Sequence, residues 1–312
     1  MRVIFMGTPE FSVGTLEALI AAGHDVCLAV TQPDKPKGRG REMQAPPVKE
    51  RALSYNIPVY QPKRVRESRC VEELRKYNAD VIVVVAFGQI LPKSILDMTP
   101  YGCINVHASL LPKYRGAAPI QWAIIEGETV TGVTTMQMDE GLDTGDMILK
   151  SEVPIAADET GESLHDKLAE AGAKLCVETL KKLQDQTAVF EKQGESPTAY
   201  AAMLTKELGN IDWSRTAVQI ERLVRGLNSW PSAYTHWSGK VMKIWRAKAE
   251  GRGAGQDAPG TIISVGKTDF AVQTGDGILR ILEVQTPGKK RMETGAFLRG
   301  NTIEPGTVLA RE

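Results

Sequence analysis

Short apolar runs alternate, along the first half of the chain, with segments whose apolar positions recur at helical spacing. Val3–Met6 predicts a strand that ends at Gly7. Leu16, Leu19 and Ile20 then share one helical face, and Gly23 stops that helix. Val26–Val30 predicts a second strand, Val59–Tyr60 a weak one, and Glu72–Tyr77 a helix. Val81–Phe87 is continuously apolar, as a central parallel strand buried on both faces requires. Gly102–Ala108 predicts the next strand. This alternation predicts an α/β domain with a doubly wound, mainly parallel, Rossmann-like sheet.

Gly132–Met138 and Met147–Ile155 predict further strands, and a helix follows from about Thr160 to Gln184. Its Leu164, Leu168, Ala171 and Leu175 fall on one face. The polar stretch QPDKPKGRGREMQAPP, residues 32–47, offers a pattern for neither helix nor strand. Residues 186–205 lose the period and are expected to form a linker. Beyond them one amphipathic helix carries Ala217, Ile220, Leu223, Val224 and Leu227. Short strands follow at Lys240–Ala249, Thr261–Val265, Phe270–Gln273 and Ile278–Gln285, with a turn at Gly275-Asp276-Gly277. They predict a small β-barrel or sandwich. The expected division is therefore 1–185, a linker at 186–205, and 206–312.

A chain of 312 residues is long for one core, which agrees with two domains. Its 38 basic and 38 acidic residues cancel, so a polyanionic partner must meet a local patch and not an overall field. Cys27, Cys70, Cys103 and Cys176 form no C-x-x-C pair, which indicates neither a zinc site nor a disulfide framework. With no cleavable leader and no transmembrane run, the chain reads as a reduced, cytoplasmic protein.

Gly7-Thr8-Pro9-Glu10 lacks the second glycine that a dinucleotide site needs, and neither a P-loop nor a G-x-S-x-G elbow is present. Asn105 and His107, two positions apart, face the same side of their strand. At its carboxyl end they would overhang the crevice where α/β proteins bind ligands. An amide there can donate to a developing oxyanion, and an imidazole can exchange a proton. The spacing equally allows two polar residues satisfied by neighbouring loops. In MDEGLDTGD, Met138–Asp146, two glycines bracket Asp143. A carboxylate in that loop could fix the tautomer of His107. A calcium loop does not fit, because the glycine and terminal glutamate are out of register. A solvated acidic turn stays open.

These residues carry a resemblance. Asn105-Val106-His107-Ala108-Ser109-Leu110-Leu111-Pro112, with Gly141-Leu142-Asp143-Thr144-Gly145-Asp146, is similar to the pattern of the 10-formyltetrahydrofolate-dependent formyltransferase family. The resemblance covers almost the whole chain. The motifs alone do not choose the acceptor, since purine-nucleotide and sugar-nucleotide formyltransferases share them. Gly7-Thr8-Pro9-Glu10-Phe11, the loop from Thr31-Gln32-Pro33-Asp34-Lys35 through Gly38-Arg39-Gly40, Arg115–Gln121, and Ile211-Asp212-Trp213-Ser214 narrow it to the methionyl-tRNA formyltransferases.

The resemblance implies formyl transfer from 10-formyltetrahydrofolate to the α-amine of methionyl-initiator tRNA, giving N-formylmethionyl-tRNA for translation initiation. Asn105, His107 and Asp143 would be catalytic, with no metal. Ser109, Leu110, Leu111 and Pro112 on one wall, and Phe87, Gly88, Gln89, Ile90 and Leu91 on the other, would line an apolar slot for the pteridine. Lys35, Lys37, Arg39 and Arg41 would wedge against the acceptor end of the tRNA. The second domain would resemble an OB barrel, with Lys243, Arg246, Lys248, Lys289, Lys290 and Arg291 on phosphates. A monomer with no membrane partner is expected. Two rivals stay open: a formyltransferase acting on a small nucleotide or sugar-nucleotide amine, and a non-catalytic RNA-binding protein.

Overall fold

The structure is a computed structural model and describes residues 1–37, 42–251, 255 and 257–310. Arg39 and Arg41 lie outside the described residues.

The chain begins with β1 (Arg2–Gly7), α1 (Glu10–Ala21) and β2 (Asp25–Val30). A separate antiparallel ribbon follows, β3 (Lys35–Lys37) on β4 (Glu42–Gln44), with Pro36 opposite Met43. α2 (Pro47–Ser54) starts on a proline, whose fixed φ suits the first helical position. Residues 32–47 thus hold regular structure after all. Glu42, Met43 and Gln44 are all exposed, so this strand leaves no apolar alternation to read. β5 (Val59–Tyr60), α3 (Ser68–Arg75), β6 (Val81–Val85), α4 (Lys93–Leu96) and β7 (Cys103–His107) come next. α3 starts earlier than its apolar spacing implies, burying Cys70, Val71 and Leu74. α5 (Pro119–Ile125), β8 (Val130–Gln137), β9 (Met147–Pro154) and α6 (Gly161–Gln184) complete this part.

Seven strands form one sheet in the order β5-β2-β1-β6-β7-β8-β9. The pairs from β5 to β7 are parallel, while β7–β8 and β8–β9 are antiparallel. β6 is buried at every position, as its unbroken apolar run requires. Ile4, Met6, Leu28, Leu74, Ile82 and Ile95 lead the core on one face of the sheet.

The chain gathers into two compact units. The first comprises Met1–Pro119, Val130–Pro154 and His165–Ala201; the second comprises Ile120–Thr129, Ile155–Leu164 and Ala202–Glu312. Within the second, α7 (Ala217–Gly226) is opened by a capping box between Thr216 and Gln219, and buries Ala217, Ile220, Leu223 and Val224. The Arg225 guanidinium donates to the Glu159 carbonyl at 2.8 Å, which ties residues 155–164 to this helix.

β10 (Ala233–Trp237), β11 (Lys240–Glu250), β12 (Ile262–Val265), β13 (Phe270–Gln273), β14 (Ile278–Gln285) and β15 (Met292–Glu293) follow, and α8 (Thr294–Leu298) comes last. All ladders here are antiparallel, in the order β10-β11-β14-β13-β12, with β15 added on β14. Residues 306–310 then close the sheet. Ala310 exchanges two backbone bonds with His236 on β10, while Thr307 and Gly306 bond Ile262 of β12. The two edge strands therefore share one cover, and a barrel around Phe270, Ile281 and Val284 results. Among the described residues no helix is long and apolar enough to cross a membrane.

Candidate active site

β7 carries the two polar residues singled out above. Val84 of β6 pairs with Asn105, and on the other side Asn105 and His107 face Met136 and Thr134 of β8. Val106 points toward α6, where a side chain on Gly172 would come within 2.9 Å of it. Asn105 and His107 point the opposite way, only 8% and 6% exposed. Among the described residues the Asn105 amide has no hydrogen-bond partner. Cys103 lies deeper on the same strand, and burial pushes its thiol up to about 12. It is therefore no nucleophile at neutral pH.

His107 has a partner facing each ring nitrogen. Its Nε2 lies 3.0 Å from the Tyr114 carbonyl. A carbonyl can only accept, so Nε2 carries a hydrogen. Nδ1 then faces Asp143, with Oδ2 at 3.7 Å. That is longer than a direct hydrogen bond. The same oxygen accepts the Gly116 backbone N–H at 2.9 Å. The Asp143 loop is pinned in turn by Asp139, whose carboxylate accepts from the Gly141 amide and the Thr144 hydroxyl.

Left-handed backbone concentrates here. Ala86, Tyr114 and Asp143 have φ of 47°, 55° and 55°, beside Gly88 and Gly116 at 83° and 122°. Alanine and tyrosine adopt this region rarely, and such strain gathers at functional sites. Ala86 and Tyr114 gave no signal in the sequence, because nothing in their identity marks a positive φ.

The expected slot residues divide. Phe87 and Leu91 are built into the core. Leu111 is buried too, packed with Met136 and Met147, so its side chain plugs the interior. Leu110 and Pro112 are half-buried, and Ile90 is 81% exposed. Gly88, in the loop after β6, has a left-handed backbone. Gln89 braces the loop, accepting from the Val65 amide and donating to the Pro62 carbonyl. The Ser109 hydroxyl donates to the Lys113 carbonyl at 2.6 Å, which leaves it in a turn. Thr8 and Gln32 both donate to the Phe87 carbonyl, which gathers the loops after β1, β2 and β6 on the carboxyl side of the sheet.

The basic residues are distributed differently. Lys35 and Lys37 lie on β3. At its root Lys49 donates to both Asp34 oxygens and to Gln61, and holds the Asp34 carboxyl below the usual carboxylate range. On β11 the inward positions run Met242, Ile244, then Ala247. A bulge around Arg246 breaks the period of two and turns Arg246 and Lys248 outward. Arg246 is already paired with Glu293, and Arg291 with Glu283. Lys248, Lys289 and Lys290 are exposed. Trp245, absent from the sequence reading, carries Lys243 and Arg291 over its ring and lines a groove of about 540 Å³ with Arg225, Arg246 and Lys248. Among the described residues no cluster of His, Cys, Asp or Glu could hold a metal ion.

Residues 1–180 match the Formyl transferase family, and residues 203–302 match its Formyl transferase, C-terminal domain family. The chain is 64% identical over 307 residues to the methionyl-tRNA formyltransferase of Agathobacter rectalis, with 98% of this chain and 99% of that one covered. The chain belongs to the methionyl-tRNA formyltransferase family. It is also 55% identical over 313 residues to the protein of that name from Lachnospira eligens, covering 99% of each. Among solved structures the sugar 3N-formyl transferase WlaRD, studied with dTDP and 5-N-formyl-THF, superposes with a TM-score of 0.69. That match spans 93% of this chain and 99% of the other at 18% identity, a likeness of fold.

Proposed function

We propose that the chain transfers a formyl group from 10-formyltetrahydrofolate to the α-amine of methionyl-initiator tRNA. The observation that carries this reading is the convergence of Asn105, His107 and Asp143 at the carboxyl end of β7. The half-buried Leu110 and Pro112 and the exposed Ile90 give apolar surface suited to a flat ring. When bound, 10-formyltetrahydrofolate supplies a formyl group on N10 as the electrophile.

The acceptor amine titrates near about pH 8 and lower as an ester, so a neutral, nucleophilic fraction is present at physiological pH. As it attacks, negative charge grows on the formyl oxygen. The Asn105 N–H donates to that oxygen, where donors already in place stabilise charge most. His107 keeps its Nε2 hydrogen on Tyr114, so Nδ1 is the nitrogen that takes a proton from the attacking amine and gives one to N10 as the C–N10 bond breaks and tetrahydrofolate leaves. Asp143, held by the Gly116 amide, stabilises the imidazolium that faces it. Residues 1–185 do this chemistry in the proposal, and residues 206–312 hold the nucleic acid.

The test is direct. Pure protein, 10-formyltetrahydrofolate and methionyl-initiator tRNA should give N-formylmethionyl-tRNA, with elongator methionyl-tRNA spared. Formylation of a small nucleotide amine in place of the tRNA would transfer the reading to the first rival. RNA binding with no formyl transfer would support the second.

The nucleic-acid half makes its own prediction. Log affinity for tRNA should fall linearly with log salt, and Lys248→Ala, Lys289→Ala and Lys290→Ala should each reduce that slope by about one. Arg246→Ala should change it less, because Glu293 already neutralises Arg246. Equal slopes in all four variants and wild type would remove these lysines from the phosphate contacts.

A further inference from the structure

Residues 186–201 form no long helix or strand, yet they are firmly bonded within the first unit. Glu191 exchanges two backbone bonds with Met147, and the Ala201 carbonyl accepts from the Ala117 and Ala118 amides. Between these anchors stands Gln193, and its side chain is fully used. Its amide Nε2 donates to the carbonyls of Asp143 and Gly145, at 2.9 and 2.7 Å. Its Oε1 accepts two hydrogens of the Arg115 guanidinium, at 2.9 and 2.8 Å. Arg115 also donates to the Gly194 carbonyl.

The partners of Gln193 belong to two loops that meet at His107. Arg115 follows Tyr114, whose carbonyl holds Nε2 of His107, and precedes Gly116, whose amide holds Oδ2 of Asp143. Asp143 and Gly145 belong to the other loop. One primary amide therefore joins the loop that fixes the imidazole to the loop that carries the carboxylate. Asp143 sits at φ 55°, a conformation that needs outside support, and its own carbonyl is one of the two atoms Gln193 grips.

We propose that Gln193 is a positioning residue for formyl transfer, holding the Asp143 carboxylate toward Nδ1 of His107 through the Arg115 bridge. This rests on the catalytic roles given above. A displacement of about an ångström in a reacting pair can cost up to about 100-fold in rate.

Gln193→Glu separates positioning from tethering. Glutamate keeps an acceptor for Arg115 and so keeps the strap attached. It turns an oxygen, in place of a donor, toward the two loop carbonyls. Gln193→Glu should lower kcat by up to about 100-fold with KM for both substrates near the wild-type value, and should shift the pH profile of kcat. In an Asp143→Ala background the same change should cost little more, because residues that act as one unit are not additive. Amide exchange in residues 139–146 should quicken in Gln193→Glu whether or not the protein is active.

Wild-type kcat in Gln193→Glu, or a loss that multiplies fully with that of Asp143→Ala, would overturn the proposal while leaving formyl transfer intact. A wild-type protein that formylates nothing would sink the functional reading instead. The exchange measurement then decides alone: unchanged protection of residues 139–146 would show that Gln193 does not hold the loop.

Discussion

Asn105→Ala is expected to cut formylation of initiator tRNA by about 100- to 1000-fold, the usual cost of removing one donor from a developing oxyanion. The structure explains why that loss should come in kcat. The Asn105 amide has no protein partner among the described residues, so its removal strands nothing in the resting state. It donates only when charge grows on the substrate, and an interaction made only then lowers kcat and kcat/KM together. Asn105→Asp is the sharper variant. It keeps shape and volume but sets a carboxylate where negative charge must form, so turnover should be no better than with alanine. His107→Ala removes the proton-carrying Nδ1, and should fall at least as far. Thermal melting and tRNA affinity should stay close to wild type in each. Near wild-type turnover in Asn105→Ala and His107→Ala would falsify the proposed mechanism.

Gly145→Ala should be nearly as damaging, though it touches no substrate. An alanine Cβ at this position would lie 1.7 Å from the Gln137 carbonyl oxygen, a contact that only backbone movement can relieve. Gln137 ends β8 and cannot yield without disturbing the sheet, so the loop must move instead. Asp143 is two residues away, and Gly145 also offers one of the carbonyls that Gln193 grips. Turnover should therefore drop to the level of Asp143→Ala. The overpacking itself should cost about 1–3 kcal/mol of stability, measurable by denaturant unfolding. Gly194→Ala is the control, because nothing lies within 4 Å of its added methyl group. A folded Gly145→Ala protein with full turnover would mean that the loop absorbs the clash without moving Asp143.

The sequence was readable where burial imposes a period. The unbroken run at Val81–Val85, the alternation around Asn105 and His107, and the helix at Gly161–Gln184 all answer to a buried face. The contact of Asp143 with His107 was legible as chemistry, since an imidazole at a strand end calls for a carboxylate on a nearby tight loop. What escaped was structure held by hydrogen bonds without burial. The ribbon of β3 and β4 has no apolar side to betray it. The strap around Gln193 has no period, because an extended segment bonded through side chains and isolated bridges obeys none. Leu111 was ambiguous for the opposite reason. An apolar residue just past a strand end can line a slot or fill a core, and the Leu111 side chain packs with Met136 and Met147. The closure by residues 306–310 depends on two distant edges that no local pattern mentions.

The second unit is gathered from three stretches of chain, and this limits how such a protein can be inherited in pieces. A splice that joins a foreign tail at residue 202 delivers only one of the three. The new helix would have to present a residue at position 226 small enough to sit 2.7 Å, measured from its would-be Cβ, from Ile125. Its carbonyl at that position would have to pass Gly161, where any side chain would approach within 2.5 Å. Residues 120–129, 155–164 and 217–228 should therefore change together across descendants, and chimeras crossed near residue 202 should recover folding only when the two earlier stretches travel with the tail.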